Sequence, residues 1–117
     1  MTEPDHISLR EAQTQVDASI HALGGYWPPL ANLARLFEEC GELARAVNTL
    51  HGPKRRKTGE AQASAHEEIG DVLYVTLVLA NSLGVDAASA LGDALRKAGS
   101  RAAQLSATPS AQGDPQA

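Results

Sequence analysis

Apolar residues recur along this chain at spacings of three and four, and nowhere in the alternation of a half-buried strand. Leu9, Ala12, Val16, Ile20 and Leu23 share one helical face, behind a Ser8-Leu9-Arg10-Glu11 capping box and ahead of Gly24-Gly25. This predicts a first helix over 8–23. A second, over 29–51, starts at Pro28-Pro29, carries the stripe Leu30, Leu33, Phe37, Cys40, Ala44 and Val47, and stops at Gly52-Pro53. Ser64-Ala65-His66-Glu67 opens a third, over 65–83, which is apolar nearly all round from Val72 to Ala80 and so reads as a buried central element. Asp86 caps a fourth, over 86–105, with Leu91, Leu95, Ala98, Ala102 and Leu105 directed inward. The expected fold is all-α, a four-helix bundle or half of one, in a single domain over 1–105. Residues 106–117 are small and polar and read as a disordered tail, and 52–64 as a polar connection carrying Lys54-Arg55-Arg56-Lys57.

Composition narrows the function. A chain of 117 residues is one domain by size. Its net charge of -4 argues against nucleic acid as a partner, because binding the phosphate backbone needs a basic surface. The longest uncharged run, Val72 to Val85, is shorter than the ~20 residues of a membrane span. A lone cysteine, Cys40, leaves no internal disulfide, points to a reducing cytoplasm, and falls on the apolar arc as a buried small hydrophobe.

Against this apolar pattern stand two acidic clusters. Glu38, Glu39 and Glu42 interrupt "FEECGELARAV", and Glu67, Glu68 and Asp71 lead "HEEIGDVLYVTLVLAN". At about 100° per residue, Glu39 and Glu42 lie ~60° apart beside the stripe of Leu36, Leu43 and Val47, and Glu68 and Asp71 do the same beside Val75, Val78 and Leu79. Glu39 belongs at the edge of the core, and Asp71 is expected to be partly buried. Like charges ~4 Å apart cost roughly 1 kcal/mol in water and about 4 at an effective dielectric of 20, so such a group persists only with protons or cations. Each cluster alone is usually a charged surface face. Together they fit a cation site, and all-oxygen donors suit Mg²⁺ or Mn²⁺ rather than zinc. Neither Glu39 nor Glu68 is followed three residues on by histidine, which argues against a di-iron carboxylate bundle. Glu67, three positions after Ser64, is either the reciprocal half of a capping box or, if the helix begins earlier, one of the clustered acids. Glu38, off the stripe, is a solvated glutamate, a second-metal ligand or the base that aims a water.

Glu38-Glu39-x-x-Glu42 followed by Glu68-x-x-Asp71 resembles the signature of the MazG-like, all-α nucleotide pyrophosphohydrolases. The likeness runs through "PLANLARLFEECGELARAVN", "HEEIGDVLYVTLVLANSLGV" and Lys97-x-x-x-Arg101, over residues 8–102, and is strongest to the short single-domain bacterial members. It implies that Glu39, Glu42, Glu68 and Asp71 bind Mg²⁺, with Mn²⁺ a possible substitute. The substrate would be a nucleoside triphosphate attacked by water at the α-phosphorus, giving a monophosphate and pyrophosphate, with Glu38 and Glu39 the catalytic acids. It also implies a homodimer or a dimer of dimers.

Lys97 and Arg101, one turn apart, share a face, and the resemblance favours them as phosphate contacts over a solvated helix end; the basic loop reads more often as solvated, with Lys54 its nearest candidate for a phosphate contact. Trp27 and Asn81 are candidates for base contact, each with a packing or backbone-bonding role as the alternative, and Tyr74 reads as packing. The competing class is a non-catalytic helical interaction protein whose acids hold a structural cation. Phosphate-binding cations would be superfluous there.

Overall fold

A computed structural model describes residues 6–51 and 64–107. They form α1 (Leu9–Ala22), α2 (Pro29–His51), α3 (Ala65–Ser82) and α4 (Ala87–Ser106), and no strand occurs among the described residues. The helix ends fall where the periodicity puts them. Lys54 and its basic run lie outside the described residues, as do 108–117.

Local chemistry explains each terminus. The Ser8 hydroxyl accepts from the Glu11 N–H at 3.1 Å and the Glu11 carboxylate accepts from the Ser8 N–H at 3.0 Å, closing the expected box. At α3 the Ser64 hydroxyl accepts from the Glu67 N–H at 3.1 Å, and at α4 the Asp86 carboxylate accepts from Ala88 at 3.1 Å. α1 and α3 end alike: Gly25 N–H reaches Ile20 C=O at 2.9 Å, and Val85 N–H reaches Ala80 C=O at 2.8 Å. Both closures pass through a glycine at positive φ, +112° at Gly24 and +70° at Gly84, where a side chain would be strained.

α3 is central, as its composition predicts, packing against α2 on one side and α1 on the other. Val16 and Ile20 of α1 close with Leu77 and Val78 of α3 into the core, flanked by Leu9, Ala12, Tyr26, Tyr74 and Ala87. Val75 and Val78 are essentially inaccessible, and each such side chain contributes about 1.5–3 kcal/mol. Tyr74 packs as expected, its hydroxyl 2.8 Å from that of Ser19.

Three expectations about burial are corrected. The α2 stripe of Leu30, Leu33, Phe37, Cys40, Ala44 and Val47 faces outward, with Phe37 69% exposed and the Cys40 thiol free and exposed. The face of α2 that turns to α3 is its other one, carrying the buried Asn32 and Ala46 and the half-buried Leu36, Glu39 and Leu43. α2 has two apolar stripes, and periodicity ranked the wrong one as core. α4 packs on α1 after a 109° bend, has no buried residue, and leaves Leu91, Leu95 and Leu105 open to solvent. Asp71 is exposed, because α1 covers α3 at Tyr74, Leu77 and Val78, further along the helix. No single helix among the described residues is long and apolar enough to cross a membrane.

Candidate metal centre

Packing α3 on the Glu39 face of α2 brings acids of both clusters to one place. Glu39, Glu68 and Asp71 each offer a carboxylate oxygen, and these oxygens lie within 4.8 Å of one another. Glu39 and Glu68 are half-buried at the helix interface and Asp71 stands at its open edge. Partial burial, then the negative charges of Asp71, Glu42, Glu39 and Glu67, push the Glu68 carboxyl above its ordinary pKa of 4.5. The charges that act most on Glu68 are therefore all of its own sign. An all-oxygen set of this size fits a hard divalent cation, which keeps part of its water shell and asks few protein ligands.

The other acids are placed differently. Glu42 is close enough to act on Glu68 but lies outside the converging group, its carboxylate 3.7 Å from Arg45 on its own helix. Glu38 is exposed on the adjoining face. Lys97 and Arg101 are exposed on α4, in a stretch, 93–107, that is exposed throughout.

One residue that the sequence pattern did not single out touches the centre. The Arg35 Nε lies 3.9 Å from Glu39 Oε2, and its guanidinium carbon is 5.9 Å from the ring centroids of both Trp27 and Tyr74. The signal was present: Arg35 precedes Glu39 by four residues, the spacing of a helical ion pair. Arg35 also lines a small cavity of about 90 Å³ with Tyr26, Trp27, Asn32 and Val78. Asn32, 2% exposed, donates to the Trp27 C=O at 3.2 Å and fixes the backbone beneath the indole.

Asn81 does not line this cavity, although its side chain meets the Tyr26 hydroxyl behind it. Its Nδ2 donates to the Gln13 C=O at 3.0 Å and its Oδ1 accepts from Gln13 Nε2 at 2.9 Å, tying α3 to α1. Trp27 is thus next to the metal centre's neighbour, whereas Asn81 is engaged in holding helices together.

The all-α fold that positions these acids is shared with known proteins. Residues 28–106 match the model of the MazG nucleotide pyrophosphohydrolase domain, and the chain belongs to that family. It is 49% identical over 79 residues to the uncharacterized protein YpjD of Bacillus subtilis (strain 168), covering 67% of this chain and 71% of that one. The crystal structure of B. subtilis YpjD, described as a candidate pyrophosphatase, aligns with a TM-score of 0.70 and 43% identity over 83% of this chain and 97% of that chain. A Bacillus-conserved MazG protein, a nucleotide pyrophosphohydrolase, aligns with a TM-score of 0.68 and 41% identity, over 80% and 90% of the two chains.

Proposed function

We propose that this chain is a Mg²⁺-dependent nucleoside triphosphate pyrophosphohydrolase that directs water to the α-phosphorus. The observation that carries the reading is the convergence of Glu39, Glu68 and Asp71 from two helices within 4.8 Å, beside a cavity walled by Trp27. These three would hold the ion, with Glu42 joining from the next turn of α2. When bound, such an ion supplies neutralisation of the phosphate charge and polarisation of water. The side chains do the rest. Glu38 accepts the proton of the attacking water, the new bond forms from water oxygen to the α-phosphorus, and the bond to the β-phosphate bridging oxygen breaks, releasing pyrophosphate. Trp27 offers its face to the base. Mn²⁺ is the natural substitute ion.

The active form is a homo-oligomer, a dimer or a dimer of dimers. Leu30, Leu33, Phe37, Cys40, Ala44 and Val47 repeat at alternating spacings of three and four, the pattern of a helix seam, yet face outward. Leu91, Leu95 and Leu105 of α4 are open to solvent as well, a second apolar face that a partner subunit would cover. Lys97 and Arg101, on the same open helix, contact the phosphates in that assembly.

The deciding experiment is a panel of ribo- and deoxynucleoside triphosphates with Mg²⁺, analysed for products. Monophosphate and pyrophosphate from at least one nucleotide are expected. Diphosphate and orthophosphate would mean attack at the γ-phosphorus and refute the assignment, and no turnover with intact Mg²⁺ binding would favour a structural cation.

A further inference from the structure

Arg35 lies within cation–π reach of two aromatic rings. Two aromatic rings, Trp27 and Tyr74, lie 5.9 Å from the guanidinium carbon, while its charge partner, Glu39, is at 3.9 Å, beyond the 2.7–3.2 Å of a hydrogen bond. No hydrogen bond from Arg35 occurs among the described residues, and its side chain is 34% accessible. A guanidinium carries five donors in a rigid fork suited to carboxylate or phosphate. Among the described residues no partner within hydrogen-bond range engages this fork.

Its one charge partner is itself contested. Glu39 belongs both to the pair with Arg35 and to the three-carboxylate cluster. Once Glu39 serves as a metal ligand its lone pairs are committed elsewhere, and Arg35 is left without a counter-charge among the described residues. It stands between the centre that would hold the phosphates and the cavity walled by Trp27 and Tyr26.

We propose that Arg35 is a substrate contact: it binds the phosphate adjoining the nucleoside, and becomes available to it when the metal takes Glu39. This rests on the pyrophosphohydrolase reading. It makes nucleotide binding stronger with the metal, because in the metal-free protein the Glu39 carboxylate, 3.9 Å from Arg35 Nε, offsets the charge that the phosphate needs. The rival role, Arg35 as a prop that holds Glu39 for the metal, predicts the opposite metal response upon its removal.

Arg35→Met keeps an apolar stem between the rings and removes the charge. Mg²⁺ binding, followed calorimetrically without nucleotide, should be unchanged or tighter, since a like charge near the ion has gone. Binding of the α,β-imido analogues of the four common deoxynucleoside triphosphates with saturating Mg²⁺, titrated singly, should weaken about ten- to a hundred-fold for those the parent binds. Emission of Trp27, the sole tryptophan, should change on Mg²⁺ addition in the parent and not in Arg35→Met. Should that variant not fold, Arg35→Lys keeps the charge without the fork, and should lose about three- to ten-fold in analogue affinity at unchanged Mg²⁺ affinity. Parallel loss of Mg²⁺ and analogue binding would make Arg35 a prop, and analogue binding within about two-fold of the parent would remove it from the substrate altogether. Failure of the parent to bind Mg²⁺ or release pyrophosphate would instead sink the functional reading on which both rest.

Discussion

Gln13 and Asn81 exchange hydrogen bonds across the α1–α3 interface, side chain to side chain at 2.9 Å and Asn81 Nδ2 to the Gln13 carbonyl at 3.0 Å. Gln13 extends the clasp to the α3–α4 turn, donating to Val85 C=O at 2.8 Å and accepting from Ala87 N–H at 2.9 Å. One glutamine fixes where α4 begins. Asn81→Ala should therefore cost about 1–3 kcal/mol, a fall of very roughly 5–20 °C in melting temperature, while leaving the Michaelis constant within about two-fold of the parent. A raised Michaelis constant at unchanged stability would return Asn81 to the base-reading role that its position on a buried helix suggests.

Glu39→Gln separates metal from fold. Removing one charge from three converging carboxylates should leave the melting temperature in EDTA equal to the parent's or a few degrees above it, since repulsion falls although the Arg35 pair is lost. In millimolar Mg²⁺ the order should reverse, because the parent gains binding free energy that the variant largely lacks. Activity should drop by about two orders of magnitude or more. A variant clearly less stable in EDTA would mark Glu39 as a structural residue.

The raised Glu68 pKa has a defined sign. The folded protein holds the Glu68 proton more tightly than the unfolded chain, so its contribution to stability is fully present below the ordinary value of 4.5 and is lost as pH rises through the folded value. In EDTA the melting-temperature advantage of Glu68→Gln over the parent should thus be small in acid and grow toward neutrality. Asp86 runs the other way: the Arg10 hydrogen bond at 3.1 Å lowers its pKa, so its contribution is present above the ordinary 3.8 and fades as pH falls through the folded value. An advantage of Glu68→Gln that shrank on going from acid to neutral pH would contradict the repulsion seen in the cluster.

Phe37 is 69% exposed in the middle of the outward α2 stripe. If that stripe is the oligomer seam, Phe37→Glu should lower the solution mass to that of a monomer, read by light scattering at micromolar protein. An unchanged mass would place the interface elsewhere, with the α4 leucines the next surface to test.

Arg101→Ala should raise the Michaelis constant about ten- to a hundred-fold and spare Mg²⁺ binding, as expected for loss of a charged phosphate contact. Unaltered kinetics would leave Arg101 a solvated residue of an exposed helix.

The helices, their caps and the phase of the acids were legible in the residues alone. Those are local matters: Ser8 with Glu11, Gly24 and Gly84 at helix ends, and the phase of Glu39, Glu68 and Asp71 along their own helices are set by backbone geometry within a few residues. Which faces meet was settled by packing between helices distant in the chain. α2 carries two apolar stripes, and its period cannot rank them, since burial depends on a partner surface that lies more than twenty residues away. The choice of the Asn32–Ala46 face put Glu39 against Glu68, exposed Cys40 and Phe37, and set Arg35 between Trp27 and Tyr74. Glu42 turned to Arg45 and Asn81 to Gln13 for the same reason: a side chain's partner is fixed by packing, whereas its helical phase is fixed by its position in the chain.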